Sequence, residues 1–175
     1  MKNRNRTAEE CRLLAASNDP VSRGFAAVDK NCPDDVMIQL ANDPDYLVRC
    51  YVARSQRCPN VCVDALSNDA HRKVRFCLAA SGRMLDKLSK DNHREVRYAV
   101  ARIAPSCLVD DLAMDNDWLV RLGAAENTNL SHNIRCKLLN DRDRRVRIRA
   151  NNPCGDYLDL MENGVPISGF VDDEE

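Results

Sequence analysis

The chain has 175 residues, 30% of them charged with a net charge of −1, only 5% aromatic, and nine cysteines. That length fits one domain or one continuous array, and no stretch is long and apolar enough for a signal-peptide core or a membrane span. An odd number of cysteines scattered along the chain suits a reducing cytoplasm better than a disulfide framework.

The first element is announced by Thr7-Ala8-Glu9-Glu10, a capping-box pattern. It predicts a helix to about Ser17, so residues 1–18 read as an N-terminal capping helix. From residue 19 to 153 one phrase then recurs: Leu-x-x-Asp, Val-Arg beginning five residues after the Asp, and a small residue five beyond the Val. It reads Leu40, Asp43, Val48, Arg49, Ala53, and then Leu66, Asp69, Val74, Arg75, Ala79. The next copies are Leu88, Asp91, Val96, Arg97, Ala101 and Leu112, Asp115, Val120, Arg121, Ala125. A fifth is Leu138, Asp141, Val146, Arg147 with Asn151 at the small position, and a degenerate first copy holds Ala16, Asp19, Ser22, Arg23 and Ala27. Successive aspartates are 24, 26, 22, 24 and 26 residues apart. Self-similarity at such a period means stacked units, none of which buries its apolar face alone.

The variation in period is confined to one place. From the small residue to the next Pro or Ser (Pro33, Pro59, Ser81, Pro105, Ser131) the spacing changes, whereas Pro or Ser to Leu is constant. Two rigid elements joined by one elastic surface loop are implied. Pro or Ser opens the first element, a short helix of α or 3-10 type. The second runs from just after the Asp to the small residue. Counting from its Val, positions 0, +2, +4 and +5 are apolar or small, as in Val48, Cys50, Val52 and Ala53, which predicts a helix sandwiched between neighbours. No segment alternates long enough to be a strand.

The run Val-Arg-x-x-Val-Ala-x-x-x-x-Cys-Pro followed by Leu-x-x-Asp, whole from Val48 to Asp69, resembles the leucine-rich-repeat-variant family. The resemblance covers roughly residues 16–153 and implies an all-α fold: a right-handed α-solenoid of about six short two-helix repeats of 22–26 residues, α/α or α/3-10. HEAT repeats share the Asp followed six residues later by Arg, but their units are longer, about 40 residues. Some members of the variant family hold iron–sulfur in a cysteine cluster ahead of the repeats. Only Cys11 stands there in this chain, so that feature is not implied.

In HEAT-like solenoids such Asp/Arg columns form a structural ladder. Asp43, Arg49, Asp69, Arg75, Asp91, Arg97, Asp115, Arg121, Asp141 and Arg147 are therefore expected to be architectural. Each Asp would cap its helix and each Arg would reach an Asp in its own or the next repeat. A column repeated five times is a building rule, whereas catalysis needs one special site. Cys32 and Cys58 fill the same slot before Pro, and Cys58 and Cys62 are four apart, yet no further Cys or His completes a tetrad. No metal and no cofactor is expected, and free cysteine in small apolar packing is the default.

On the second helices, positions −2, −1, +3 and +6 point away from the apolar ones. They supply a candidate binding column: Tyr46, Tyr51, Arg54, Arg72, Arg94, Arg102, Trp118, Arg144, Arg145 and Arg149. Basic density peaks at Arg142, Arg144, Arg145, Arg147 and Arg149. Residues 151–175 hold seven acids and no Lys or Arg, so a chain of net −1 has +6 over residues 1–150. Residues 154–163 read as a short C-terminal cap and 164–175 as an acidic tail. His71, His93 and His132 have no nucleophile or acid at a recognisable spacing, and no Gly-rich phosphate loop is present. The sequence thus predicts a non-enzymatic cytoplasmic scaffold for a protein partner. The alternative is nucleic-acid binding through the Arg/aromatic column, as HEAT-like DNA glycosylases hold a duplex.

Overall fold

The computed structural model describes residues 6–153. Twelve helices and no strand lie among them. They are α1 (Ala8–Ala15), α2 (Pro20–Ala27), α3 (Asp34–Leu40), α4 (Tyr46–Arg54), α5 (Asn60–Ser67) and α6 (Arg72–Ala80), followed by α7 (Leu85–Leu88), α8 (Arg94–Ile103), α9 (Ser106–Leu112), α10 (Trp118–Glu126), α11 (His132–Leu138) and α12 (Arg144–Asn151). They alternate as first and second helices in six pairs, the second being the longer in every pair but α1/α2, where both have eight residues, and this is an all-α solenoid repeat architecture. All are α-helical; no 3-10 helix occurs among the described residues. The chain divides after Val100 into two compact bodies. The expected C-terminal cap (154–163) and acidic tail (164–175) lie outside the described residues.

In the N-terminal body, α2, α4 and α6 pack side by side, with the short helices α1, α3 and α5 against them. Positions 0, +4 and +5 are interior as predicted: Val48, Val52, Ala53, Val74, Leu78, Ala79 and Val96 are fully buried; at +2, Cys50 is buried but Phe76 is only half-buried. The first helix is shorter than the capping box suggested and ends at Ala15. Thr7 Oγ accepts the Glu10 N–H while Glu10 Oε2 accepts the Thr7 N–H. In the first helices of later repeats, Pro33, Pro59 and Pro105 occupy the N-cap rather than the first helical position. Their fixed φ suits that extended residue, and they contribute no capping side chain.

One expected cap fails. Ser81 does not open a helix; it closes α6, its Oγ donating to the Leu78 carbonyl at 2.7 Å. Between Ala79 and Ser81 the elastic loop is at its shortest. The chain therefore turns through two left-handed residues, Gly82 (φ 82°) and Met84 (φ 54°), and the first helix shrinks to the single turn α7.

In the C-terminal body, α10 packs against α9 and α12, and α11 against α12. Val120, Ala124, Ala125 and Val146 are fully buried. A buried amide joins the loops here. Asn127 Nδ2 donates to the carbonyls of Ala101 (2.8 Å) and Ala104 (2.9 Å), its Oδ1 accepts the Asn129 N–H, and its own carbonyl accepts from Arg135.

Candidate interaction surface

The Asp/Arg residues set the register of every longer helix. Arg49 divides its guanidinium between two repeats. Nη1 donates to the Asp43 and Pro44 carbonyls of its own repeat, while Nε and Nη2 donate to Asp69 Oδ2 (2.6 Å) and Oδ1 (3.0 Å) of the next. Arg23–Asp43, Arg75–Asp91 and Arg121–Asp141 repeat this geometry. Arg97 Nη1 takes the Asp91 and Asn92 carbonyls in the same way. A planar fork on a planar carboxylate is the strong, bidentate form of the pair.

The aspartates of this column do not cap their helices. The cap is the residue two further on: Asp45, His71, Asp117 and Asp143 accept the first-turn N–H through their side chains. The column aspartate instead accepts the N–H of that capping residue, as Asp69 does from His71 and Asp141 from Asp143, each at 2.8 Å. In the degenerate first repeat the same register assigns the roles to Ser17 and Asp19. Ser17 Oγ accepts the Asp19 N–H, the Ser17 carbonyl accepts from Arg23, and Asp19 caps α2. Asp19 is therefore equivalent to Asp45, not to Asp43.

Burial alone would push the Asp69 carboxyl up. The Arg49 fork and the His71 N–H outweigh it and hold the group below its ordinary 3.8. The same balance, with burial opposing and the arginine fork and a backbone N–H prevailing, depresses Asp43, Asp91 and Asp141.

The candidate binding residues do not form one continuous exposed column. Tyr46 stacks on His71, ring centroids 3.8 Å apart, with Lys73 Nζ 5.9 Å from the tyrosine ring. The stack borders an open depression lined by Pro44, Asp45, Tyr46, Leu47, Ala70 and His71. Tyr51 is half-buried and lies against Gly24, where an added Cβ would fall 2.3 Å from its Cδ2. Arg54 is exposed and Arg72 half-exposed. Arg94 lies 3.9 Å from the neighbouring Glu95, and Arg102 Nε is 3.0 Å from Glu126.

On α12 the basic cluster is mostly committed internally. The Arg145 guanidinium stands 3.2 Å over the Trp118 ring and holds Asp143 bidentately. Arg149, expected on the outer column, is 4% exposed and 3.5 Å from Glu126, so it is corrected to an interior position. Arg145 and Arg149 thus reach back to the first and last residues of α10, where Leu119 and Gly123, also expected outside, are buried. Arg142 donates to the Asn116 carbonyl, and Arg144 is exposed.

The candidate column left out Val21 and Phe25, two exposed apolar residues of α2. Val21 and Phe25 are 49% and 46% exposed on α2, and Leu47 is 45% exposed on the adjacent α4. Counting from Ser22 as the Val position places Val21 at −1 and Phe25 at +3, the registers already assigned to the outer face. Among the described residues five cysteines are interior (Cys11, Cys32, Cys50, Cys58 and Cys62), whereas Cys77 is half-buried and Cys107 and Cys136 are exposed; Cys32 and Cys58, 1% and 4% exposed, each direct Sγ to the following proline's carbonyl at 3.7 Å. Burial drives the Cys32 thiol up to about 12 and the Cys62 thiol to about 11. His132 Nε2 lies 3.5 Å from Cys136 Sγ on exposed α11. No helix among the described residues is long and apolar enough to cross a membrane.

A solved structure described as a leucine-rich repeat variant with a novel repetitive structural motif is similar to this chain. The two are 29% identical with a TM-score of 0.61, over 83% of this chain and 60% of that one. The chain thus spans 60% of the length of the chain it matches. No protein-family model matches the sequence, and no curated protein does.

Proposed function

We propose that this chain, a helical repeat protein of the leucine-rich-repeat-variant type, is a non-enzymatic binding scaffold that takes a protein partner on the outer face of α2 and α4. The observation that carries the reading is the exposed trio Val21, Phe25 and Leu47, set on two adjacent helices at matching repeat positions. Beside it lie the Tyr46–His71 stack and the exposed Arg54. An apolar centre with an aromatic and arginine rim is the composition of a protein interface. Repeat solenoids use such outer surfaces for partners, and function resides in the site rather than the fold. The interior thiols support a reducing, cytoplasmic setting.

Nucleic-acid binding draws less support. Of the arginines and aromatics it needs, Arg149 is buried, Arg145 and Trp118 are committed to each other, and Arg102 faces Glu126. The test is capture of partners from native lysate by the full chain and by Phe25→Glu/Leu47→Glu, with a nuclease-treated arm. The double variant should keep its helicity and lose captured protein by at least about 30-fold, as expected for hot-spot positions at an interface centre. Undiminished capture by that variant would remove the α2/α4 face. Tight binding to DNA or RNA that collapses between low and physiological salt would favour the nucleic-acid reading instead.

A further inference from the structure

Gly24 and Tyr51 show where side chains meet between neighbouring longer helices. Counting from the repeat Val, or from Ser22 in the degenerate copy, Gly24 is at +2 on α2 and Tyr51 at +3 on α4. A Cβ at Gly24 would lie 3.1 Å from Tyr51 Cγ, the atom whose place Sγ takes in a cysteine. One repeat later the same two positions are Cys50 on α4 and Cys77 on α6. These helices pack side by side as α2 and α4 do. The repeat geometry therefore sets the Cys77 sulfur against the Cys50 side chain, and the two thiols are hydrogen-bonded to each other. A disulfide holds each Cβ about 3 Å from the opposite sulfur, so this approach is the one a cross-link requires.

The two sulfurs are not equivalent. Cys50 is 8% exposed, whereas Cys77 is half-buried and open to small solutes. The Cys50 thiol donates the shared hydrogen bond, which holds the Cys77 thiol below its ordinary 9.0; burial opposes this and the Arg54 cation adds to it. The same contact, together with burial, pushes the Cys50 thiol up. The proton thus stays on the interior sulfur and thiolate character falls on the outer one, as in an attacking thiol beside a resolving thiol. Cys58 and Cys62 are also in contact, but both are buried and both are pushed up.

We propose that Cys50 and Cys77 form a peroxide-sensitive dithiol that closes into a disulfide between α4 and α6. The Cys77 thiolate attacks one oxygen of hydrogen peroxide. The O–O bond breaks, and the departing hydroxide takes up the proton that Cys77 released to solvent, leaving a sulfenic acid and one water. The Cys50 sulfur then attacks the Cys77 sulfur. The S–S bond forms, the S–O bond breaks, and the hydroxide leaves with the Cys50 proton as a second water. Two thiols lose two electrons in all, and one peroxide takes them up. A transient disulfide of this kind suits a reducing compartment. Tyr46 precedes Cys50 by four residues, about one helical turn, so the bond fixes α4 against α6 beside the Tyr46–His71 stack.

Peptide mapping of the full, reduced chain after brief exposure to equimolar hydrogen peroxide tests the proposal, with remaining thiols capped by iodoacetamide. Trypsin places the two sulfurs on separate peptides, 50–54 and 76–83, each with one cysteine. These should appear joined, lighter than their sum by two hydrogens, in a chain that runs as a monomer on a non-reducing gel, and dithiothreitol should release them. The joined form should accumulate at least about tenfold faster than oxidation at the exposed Cys107 and Cys136, as expected for a thiol with more thiolate character. In Cys50→Ala the reaction should stop at a sulfenic acid on Cys77, captured by dimedone; in Cys77→Ala, Cys50 should stay reduced. Absence of the joined peptides overturns the proposal, as does oxidation that falls first on Cys107 or Cys136, a link found only between two chains, or Cys50 oxidised at the wild-type rate in Cys77→Ala. The wild-type map decides by itself if either variant fails to fold.

Discussion

Arg121 meets Asp141 edge to edge, Nε 2.8 Å from Oδ2 and Nη2 2.9 Å from Oδ1, with side chains only 6% and 7% exposed. Removing one partner leaves a buried charge without compensation. Arg121→Ala is therefore expected to lower stability by about 3 kcal/mol in urea denaturation, since breaking a buried pair costs more than the pair contributes. Replacing both residues with apolar ones of similar size, Arg121→Met with Asp141→Leu, should recover most of that loss. Two single variants whose losses simply add would show that the contact is not coupled.

Acid should unfold the protein through the same column. Asp43, Asp69, Asp91 and Asp141 all have folded values below the ordinary 3.8. On acidification the unfolded chain takes up protons first, so stability is fully present above that value and falls as pH drops through it. Thermal melts between pH 6 and pH 2.5 should show this loss. Asp69→Asn, less stable at neutral pH, should show a shallower one; an identical slope would acquit the Arg49–Asp69 rung.

His71 works in a higher window. Its Nδ1 caps α6 by accepting the Lys73 N–H at 3.3 Å, which requires an unprotonated nitrogen. Burial lowers its value from 6.5, and the Lys73, Arg49 and Arg72 cations add to this, while Asp69 opposes. The unfolded chain is protonated first, so the cap's contribution is present above 6.5 and declines as pH falls below it. His71→Asn keeps an effective cap that does not titrate, so it should flatten the stability profile between pH 7.5 and 5.5. His71→Ala should cost about 1 kcal/mol at pH 7.5. An unchanged profile in His71→Asn would assign the slope elsewhere.

The period, the all-α class and the buried Val positions were legible because each is written in every repeat, and agreement among copies cancels local noise. The cap was equally legible and was misplaced by two residues. Asp-x-Asp and Asp-x-His recur as Asp43-Pro44-Asp45, Asp69-Ala70-His71 and Asp141-Arg142-Asp143, and because both positions recur with the same period, spacing alone does not distinguish the capping residue from the one that holds the arginine. The site was harder to read, because exposure depends on what a neighbouring helix lays across a face. Phe25 and Arg149 share the +3 position. One is half-exposed and the other buried, because only Arg149 has Glu126 within reach. No periodicity of one helix encodes that difference.

Gly24 and Tyr51 supply the sharpest test of packing within the N-terminal body. Gly24 is buried in the interior of α2, where alanine would ordinarily be better by up to about 1 kcal/mol. A Cβ there would lie 2.3 and 2.6 Å from Cδ2 and Cε2 of the Tyr51 ring, so the ring must move. Gly24→Ala is therefore expected to destabilise by about 1–3 kcal/mol, the usual range for overpacking. In a Tyr51→Ala background the obstacle is gone and only the helix preference remains. The same substitution should then stabilise by up to about 1 kcal/mol. This reversal of sign, read from paired urea midpoints, separates a steric contact from a backbone requirement. If Gly24→Ala destabilises equally with and without the tyrosine ring, the close approach of Tyr51 is not what selects glycine.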